Sequence, residues 1–117
     1  MGLRLAAVEE VERLLRRLAL NDEDSVGRVL VSGTSPEASA ALDQKVDLLV
    51  RLGALLALGA ATASLRATVE RAQEAGASEA EIVEVLVAVA PAVGLARVVA
   101  EAPRLATALG YEIDADE

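Results

Sequence analysis

The chain has 117 residues, of which 54% are hydrophobic and 26% charged, and its formal net charge is −8. Its length fits a single globular domain, 1–117, and its apolar content excludes a disordered chain. Cysteine and histidine are both absent, which excludes disulfides, thiolate nucleophiles, Cys/His zinc sites and histidine general bases.

The N-terminal helices are predicted within residues 1–41. Between positions 5 and 18, apolar residues recur every three or four positions, which is the spacing of an amphipathic helix. Asp22 or Asp24 is suited to cap a second helix. A serine followed by a proline then predicts a helical turn over residues 37–41.

Residues 42–59 predict a long helix with two apolar sides. One stripe contains Leu42, Val46, Leu49, Gly53, Leu56 and Ala60, and the other contains Leu48, Leu52, Leu55 and Leu58. A helix that is apolar on two sides needs cover on both. We therefore expect this helix to be central and to face another subunit along part of its surface.

The next two helices are marked by their end signals. Residues 63–75 predict one helix, with Gly76 as its left-handed stop. The sequence Ser78-Glu79-Ala80-Glu81 is a capping box, so the following helix begins at residue 79. Pro91 removes an amide donor and predicts that this helix bends or ends there.

The last predicted helix spans residues 98–109, and an acidic tail follows over 111–117. Alanine is abundant and the valine-rich run carries helix caps, which favours helices over strands. The fold class predicted is therefore all-α, with about six helices.

The net charge and the length of the apolar runs indicate where the protein is located and which partners it does not bind. The longest uncharged apolar run, 85–96, is too short to cross a bilayer, and the first 20 residues lack a signal-peptide pattern. The acidic charge repels phosphate groups, so we expect neither nucleic acid nor membrane as a partner. The expected location is cytoplasmic.

Four short motifs follow one another at set separations within residues 42–109. They are Leu42-Asp43-Gln44-Lys45, Ala75-Gly76-Ala77-Ser78, the run from Glu81 to Leu86, and Ala90-Pro91-Ala92-Val93-Gly94. In this order they resemble the carboxymuconolactone decarboxylase and AhpD-like family. The resemblance implies that 42–109 forms an AhpD-like helical core and that the chain assembles with itself into a homotrimer or homohexamer.

The resemblance also locates a site whose chemistry this chain has lost. The active branches of the family carry Cys-x-x-Cys-x-x-x-His, or its histidine alone, at the start of the helix after the long one. Those positions fall on Ala61, Ser64 and Thr68, and the family's acidic residue falls near Leu48, beside Asp47. Thiol exchange needs an attacking and a resolving thiol, so the resemblance implies a non-redox member.

Two other single residues invite a catalytic interpretation. Ser64 lacks a histidine base, so we expect a helix cap or first-turn residue. Lys45 is the only lysine, and Asp43 and Asp47 favour its charged form, so we expect a solvated side chain rather than a Schiff-base amine. No cluster of acids and histidines completes a metal site. We expect neither a metal nor a cofactor.

Two interpretations of the arginines stay open. Asp47 and Arg51, and Arg97 and Glu101, are each four residues apart and would form intrahelical ion pairs. Alternatively, Arg51, Arg66 or Arg97 lines a pocket between helices and holds a ligand carboxylate.

The residues leave three functions open. The first is an oligomeric, non-redox protein that binds a small carboxylate-bearing or apolar ligand at a subunit interface, or that serves in assembly. The second is a cofactor-free lyase or isomerase, decarboxylase-like, acting on a small lactone or carboxylate. The third is a structural partner for another chain, which predicts no cavity between the long helix and the helix that begins near Ser64.

Overall fold

The computed structural model describes residues 2–33 and 41–112. Its helices are α1 (Gly2–Ala19), α2 (Glu23–Ser32), α3 (Gln44–Leu58), α4 (Thr62–Glu74), α5 (Glu79–Val93) and α6 (Leu95–Ala108). These ranges contain no strand, which confirms the all-α class and the six helices. Most of the turn predicted over 37–41 lies outside the described residues. No helix in the described ranges has the length and apolar character needed to cross a membrane.

Contacts group the chain into two units, 1–41 and 42–117. In the first unit, α1 contacts α2. The Asp22 side chain accepts a hydrogen bond from the backbone amide of Ser25 at 3.0 Å, so Asp22 rather than Asp24 caps α2. Hydrogen bonds from Ser25 lower the pKa of the Asp22 carboxyl. Gly33, in the left-handed region with φ of 65°, ends α2.

The second unit is built around α3, which contacts α4, α5 and α6. A row at four-residue spacing along α3 is buried, as expected for the core side of a helix. The core consists of Leu48, Leu52, Leu56, Leu65, Val69, Ala72, Ala77, Ile82, Leu86 and Leu105. The buried row takes residues from both predicted stripes, while Val46 and Leu58 are exposed.

Of the two effects predicted for Pro91, a bend or a helix end, the helix end is wrong. The helix continues past Pro91 and ends at Val93, where Gly94 turns with φ of 87°. Because Pro91 lies in the last turn and its fixed φ is compatible with a helix, its missing amide does not end the helix. α6 begins at Leu95, three residues before the predicted start, and runs unbroken past Pro103.

The capping box that begins α5 is confirmed and also ties α5 to α3. Ser78 Oγ accepts from the Glu81 amide, and Glu81 Oε1 accepts from the Ser78 amide, both at 3.0 Å. The other carboxylate oxygen of Glu81 accepts from Lys45 Nζ at 3.0 Å. The Ser78 amide and then Lys45 hold the pKa of the Glu81 carboxyl below its ordinary value.

This lowered pKa predicts a pH effect with a definite sign. The ionised form of Glu81 stabilises the folded state, so its contribution is complete above the ordinary glutamate pKa, about 4.3, and is lost as pH falls below it. We expect Glu81→Gln to reduce the loss of thermal stability between neutral and acidic pH. The control is Glu84→Gln, an exposed glutamate on the same helix. Equal pH dependence of Tm in the two variants would refute the contribution of ionised Glu81 to the stability of the folded state.

Candidate functional site

The three positions matched to the family site lie at the start of α4. Ala61 is the N-cap residue and provides no side-chain cap. Ser64 is an exposed first-turn residue and Thr68 is half-buried. Because their spacing is three and then four residues, they share one side of α4, next to the buried row that begins with Leu65. The first-turn interpretation of Ser64 is therefore confirmed.

An ion pair from α6 lies against this start of α4. Glu101 is only 2% exposed, and both carboxylate oxygens accept from Arg104 Nη1, at 2.6 and 2.7 Å. Arg104 Nη2 donates to the backbone carbonyl of Ala60 and lies 3.5 Å from Thr62 Oγ1. These two contacts flank Ala61. The pair therefore fixes the α3–α4 turn, which contains Ala61 and leads into α4.

The expected Arg97–Glu101 pair is wrong, because Glu101 is bound by Arg104. On α6, Glu101 lies four residues before the buried Leu105 and so belongs to the core-facing row. A buried carboxylate requires a partner that reaches the same interior position, and Arg104 provides it. An acid within an apolar row was the signal in the sequence that could have shown that Glu101 is buried and needs a partner, although not which arginine provides it.

Arg97 reaches the same turn from the first turn of α6. Its guanidinium packs on Gly59, where an added Cβ would overlap the Arg97 Nη1 atom. Gly59 also ends α3 in the left-handed region, with φ of 64°. Within the ranges that the structure describes, Arg97 forms no ion pair.

Gly59→Ala is therefore expected to act at two levels. The left-handed backbone disfavours any side chain, and the new methyl group displaces the Arg97 guanidinium. We expect a loss of about 1 to 2 kcal/mol in the free energy of unfolding, measured by urea denaturation. Gly76→Ala is the control, since Gly76 also has a positive φ but an added Cβ there has open space. Because Arg97 Nη1 is the end of a flexible side chain that can move aside, we expect the two losses to be similar. A loss far below that of this control would contradict the left-handed conformation of Gly59.

The other two candidate arginines have different surroundings. Arg51 donates to Asp47 at 2.9 Å on α3, which confirms that intrahelical pair. Arg66 is exposed on α4. Of the three arginines, Arg97 is thus the one that packs on the α3–α4 turn.

Two apolar grooves lie on the helices of the second unit. One of 530 Å³ lies between α3 and α5, and one of 310 Å³ lies between α5 and α6. Tyr111 borders the second groove, and its hydroxyl donates to Glu79 at 2.6 Å. Among the described residues, no cluster of acids could hold a metal ion.

Comparison with known proteins assigns the family. Residues 34–108 match the model of the carboxymuconolactone decarboxylase family. Searches of curated proteins and of solved structures return no match. The family match covers more than half of the chain and includes α3, α4, α5 and α6. The chain therefore belongs to the carboxymuconolactone decarboxylase family.

Proposed function

We propose that the protein is a non-redox member of its family that binds a small carboxylate at the α3–α4 turn. The observation that carries the proposal is the Arg97 guanidinium, which packs on Gly59 beside the start of α4. The chain cannot perform thiol chemistry, because it contains no cysteine.

Charge at the turn supports an anionic ligand. Two guanidinium groups from α6 reach the turn, Arg97 at Gly59 and Arg104 at Ala60. Glu101 neutralises Arg104, so the three side chains together leave one positive charge. A guanidinium binds a carboxylate through two parallel hydrogen bonds.

The alternative function, a cofactor-free lyase or isomerase acting on a small lactone or carboxylate, has less support. It needs an acid or base that reaches the substrate. Glu101 is the buried carboxylate nearest the matched positions, but both of its oxygens are bound by Arg104. This arrangement favours binding over proton transfer.

Titration with succinate, followed by amide chemical shifts, tests the proposal. We expect saturable shifts at Gly59, Ala60 and Thr62, with millimolar affinity because one charged contact carries most of the binding. Arg97→Gln should weaken binding about tenfold or more, which corresponds to loss of about 1.4 kcal/mol. Arg66→Gln is the matched control, since Arg66 is exposed on α4.

Two results would contradict carboxylate binding. One is a set of shifts scattered over the surface that does not saturate. The other is binding that survives Arg97→Gln unchanged. Neutral succinamide is the ligand control. We expect it to cause no amide shifts at the turn, because it lacks the charge that Arg97 recognises.

We also propose that the working form is a cytoplasmic homotrimer or homohexamer. Exposed apolar side chains on α3, α5 and α6 support self-association; they include Val50, Val87, Leu95 and Val99.

A further inference from the structure

The groove between α5 and α6 has aliphatic walls and a polar end. Its volume is 310 Å³, and its walls include Val83 and Leu86 from α5 and Leu105 from α6. Among its described lining residues, only Tyr111 and Glu112 carry polar side chains, and both follow the end of α6. We call this the α5–α6 groove. It combines a place for an alkyl chain with a place for a polar group.

The polar end contains a hydrogen bond that joins two elements. The Tyr111 hydroxyl donates to Oε2 of Glu79 at 2.6 Å. Glu79 is the first residue of α5, where the helix N-terminus favours an ionised carboxylate. The hydrogen bond with Glu79, and then the charge of Glu79, raise the pKa of the Tyr111 phenol. At neutral pH the phenol is therefore an uncharged donor that occupies a charged acceptor.

The charges at this end favour a cation. Within the ranges that the structure describes, neither Glu79 nor Glu112 forms an ion pair. The net charge of −8 adds to the negative potential there. An ammonium group donates charge-assisted hydrogen bonds, which are stronger than the bond from a neutral phenol. An ammonium group can therefore displace the Tyr111 hydroxyl from Glu79.

We infer that the α5–α6 groove binds a small aliphatic amine, with its alkyl chain along the apolar walls and its ammonium group on Glu79. The Tyr111 hydroxyl holds the place of the ammonium group while the groove is empty. Val83 is 44% exposed, so an alkyl chain that covers it removes apolar surface from water. This inference goes beyond the proposed carboxylate site, which lies at the α3–α4 turn and takes a ligand of opposite charge.

The length of the groove selects the probe. Leu86 lies seven residues after Glu79 on α5, which is about 10 Å along the helix axis. The probe is hexylamine, which is protonated at neutral pH like a lysine side chain and is short enough to lie within this distance. Hexan-1-ol and hexanoate have the same chain with a neutral and a negative end, so they serve as the ligand controls.

Titration followed by amide chemical shifts tests the inference. We expect hexylamine to cause saturable shifts at Val83, Leu105 and Leu109, which line the groove. Hexan-1-ol should bind about threefold to fivefold more weakly, because the Glu79 contact is exposed to water, and hexanoate more weakly still. Hexan-1-ol that binds as tightly as hexylamine would overturn the inference, as would shifts that do not saturate or that lie outside the groove.

Glu79→Gln tests which carboxylate recognises the ammonium group. We expect it to weaken hexylamine binding about threefold to fivefold and to leave hexan-1-ol binding unchanged. The matched control is Glu84→Gln, an exposed glutamate on the same helix that does not line the groove. We expect this control to bind both ligands as the wild type does. Unchanged hexylamine affinity in Glu79→Gln would overturn the inference.

Tyr111→Phe tests whether the hydroxyl competes with the ligand. The variant keeps the ring at the border of the groove and removes the donor from Glu79. We expect hexylamine to bind about twofold to fivefold more tightly, because no hydrogen bond has to be broken first. Weaker binding in Tyr111→Phe would contradict the role of the hydroxyl as a placeholder.

Discussion

Arg104→Ala is expected to lower the free energy of unfolding by about 3 kcal/mol, because it leaves the Glu101 carboxylate buried without a partner. The Glu101 side chain is 2% exposed and the Arg104 side chain is 28% exposed. Because water partly screens Arg104, we expect a loss of stability at the low end of the range for a broken buried ion pair. The Ala60 carbonyl loses a donor as well. Urea denaturation at neutral pH and fixed protein concentration measures the loss.

Arg16→Ala is the matched control for this prediction. Arg16 pairs with Glu12 at the same 2.6 Å distance, but the two side chains are 67% and 64% exposed. Water solvates such charges when the pair is broken, so we expect a loss of less than about 1 kcal/mol. Equal losses in the two variants would show that Glu101 is not held as described. Glu101→Gln should cost less than Arg104→Ala, since it buries no unpaired charge.

Leu52→Ala is expected to lower the free energy of unfolding by about 3 to 4 kcal/mol, because it opens a cavity at the centre of the core. Leu52 is 0% exposed and lies on α3, the helix that contacts the other three of its unit. Thermal and urea denaturation should agree on the loss if the unit unfolds in one step.

Leu58→Ala makes the same chemical change on the same helix at a side chain that is 76% exposed. Alanine has at least the helix propensity of leucine, so we expect a change within about 0.5 kcal/mol. A large loss at Leu58 would mean that another surface covers this residue in solution. A small loss at Leu52 would contradict its place in the core.

Helix ends were predictable from the sequence because their signals are local. The Ser78 and Glu81 capping box and the left-handed Gly76 need only residues within one or two turns. The predicted helix end at Pro91 was wrong because the effect of a proline depends on its distance from the helix end. α5 ends two residues later, so few backbone hydrogen bonds remained to be lost.

The partner of Glu101 could not be predicted in the same way. On a helix, a residue three positions away and one four positions away are equally close, so Arg104 and Arg97 compete for Glu101. Which arginine pairs with Glu101 depends on the α3–α4 turn. There Arg104 donates to the Ala60 carbonyl, and Arg97 packs on Gly59, which has no side chain. That turn comes from a different part of the sequence.

The two apolar stripes of α3 show a similar limit. Their existence was predicted, but the sequence did not show that the core row would combine Leu48 and Leu52 with Leu56. Which side of a two-sided helix becomes buried depends on where α4, α5 and α6 pack. The side that they leave uncovered lines the apolar groove between α3 and α5.

We propose that Ala61, Ser64 and Thr68 at the start of α4 occupy the positions of the family site, whose thiol chemistry this chain lacks. The double variant Ala61→Cys/Ser64→Cys tests this directly. Ala61 is the N-cap and Ser64 the third residue of α4, so their Cα atoms are about 5 to 6 Å apart, within disulfide range. The helix N-terminus also lowers a thiol pKa there.

The measurement is the number of free thiols and the chain mass after mild oxidation, with the oligomeric state recorded before and after. We expect an intramolecular disulfide, no free thiols and an unchanged oligomeric state. Cross-links between chains, or thiols that stay free while the protein remains folded, would contradict the assignment of Ala61, Ser64 and Thr68 to the family site.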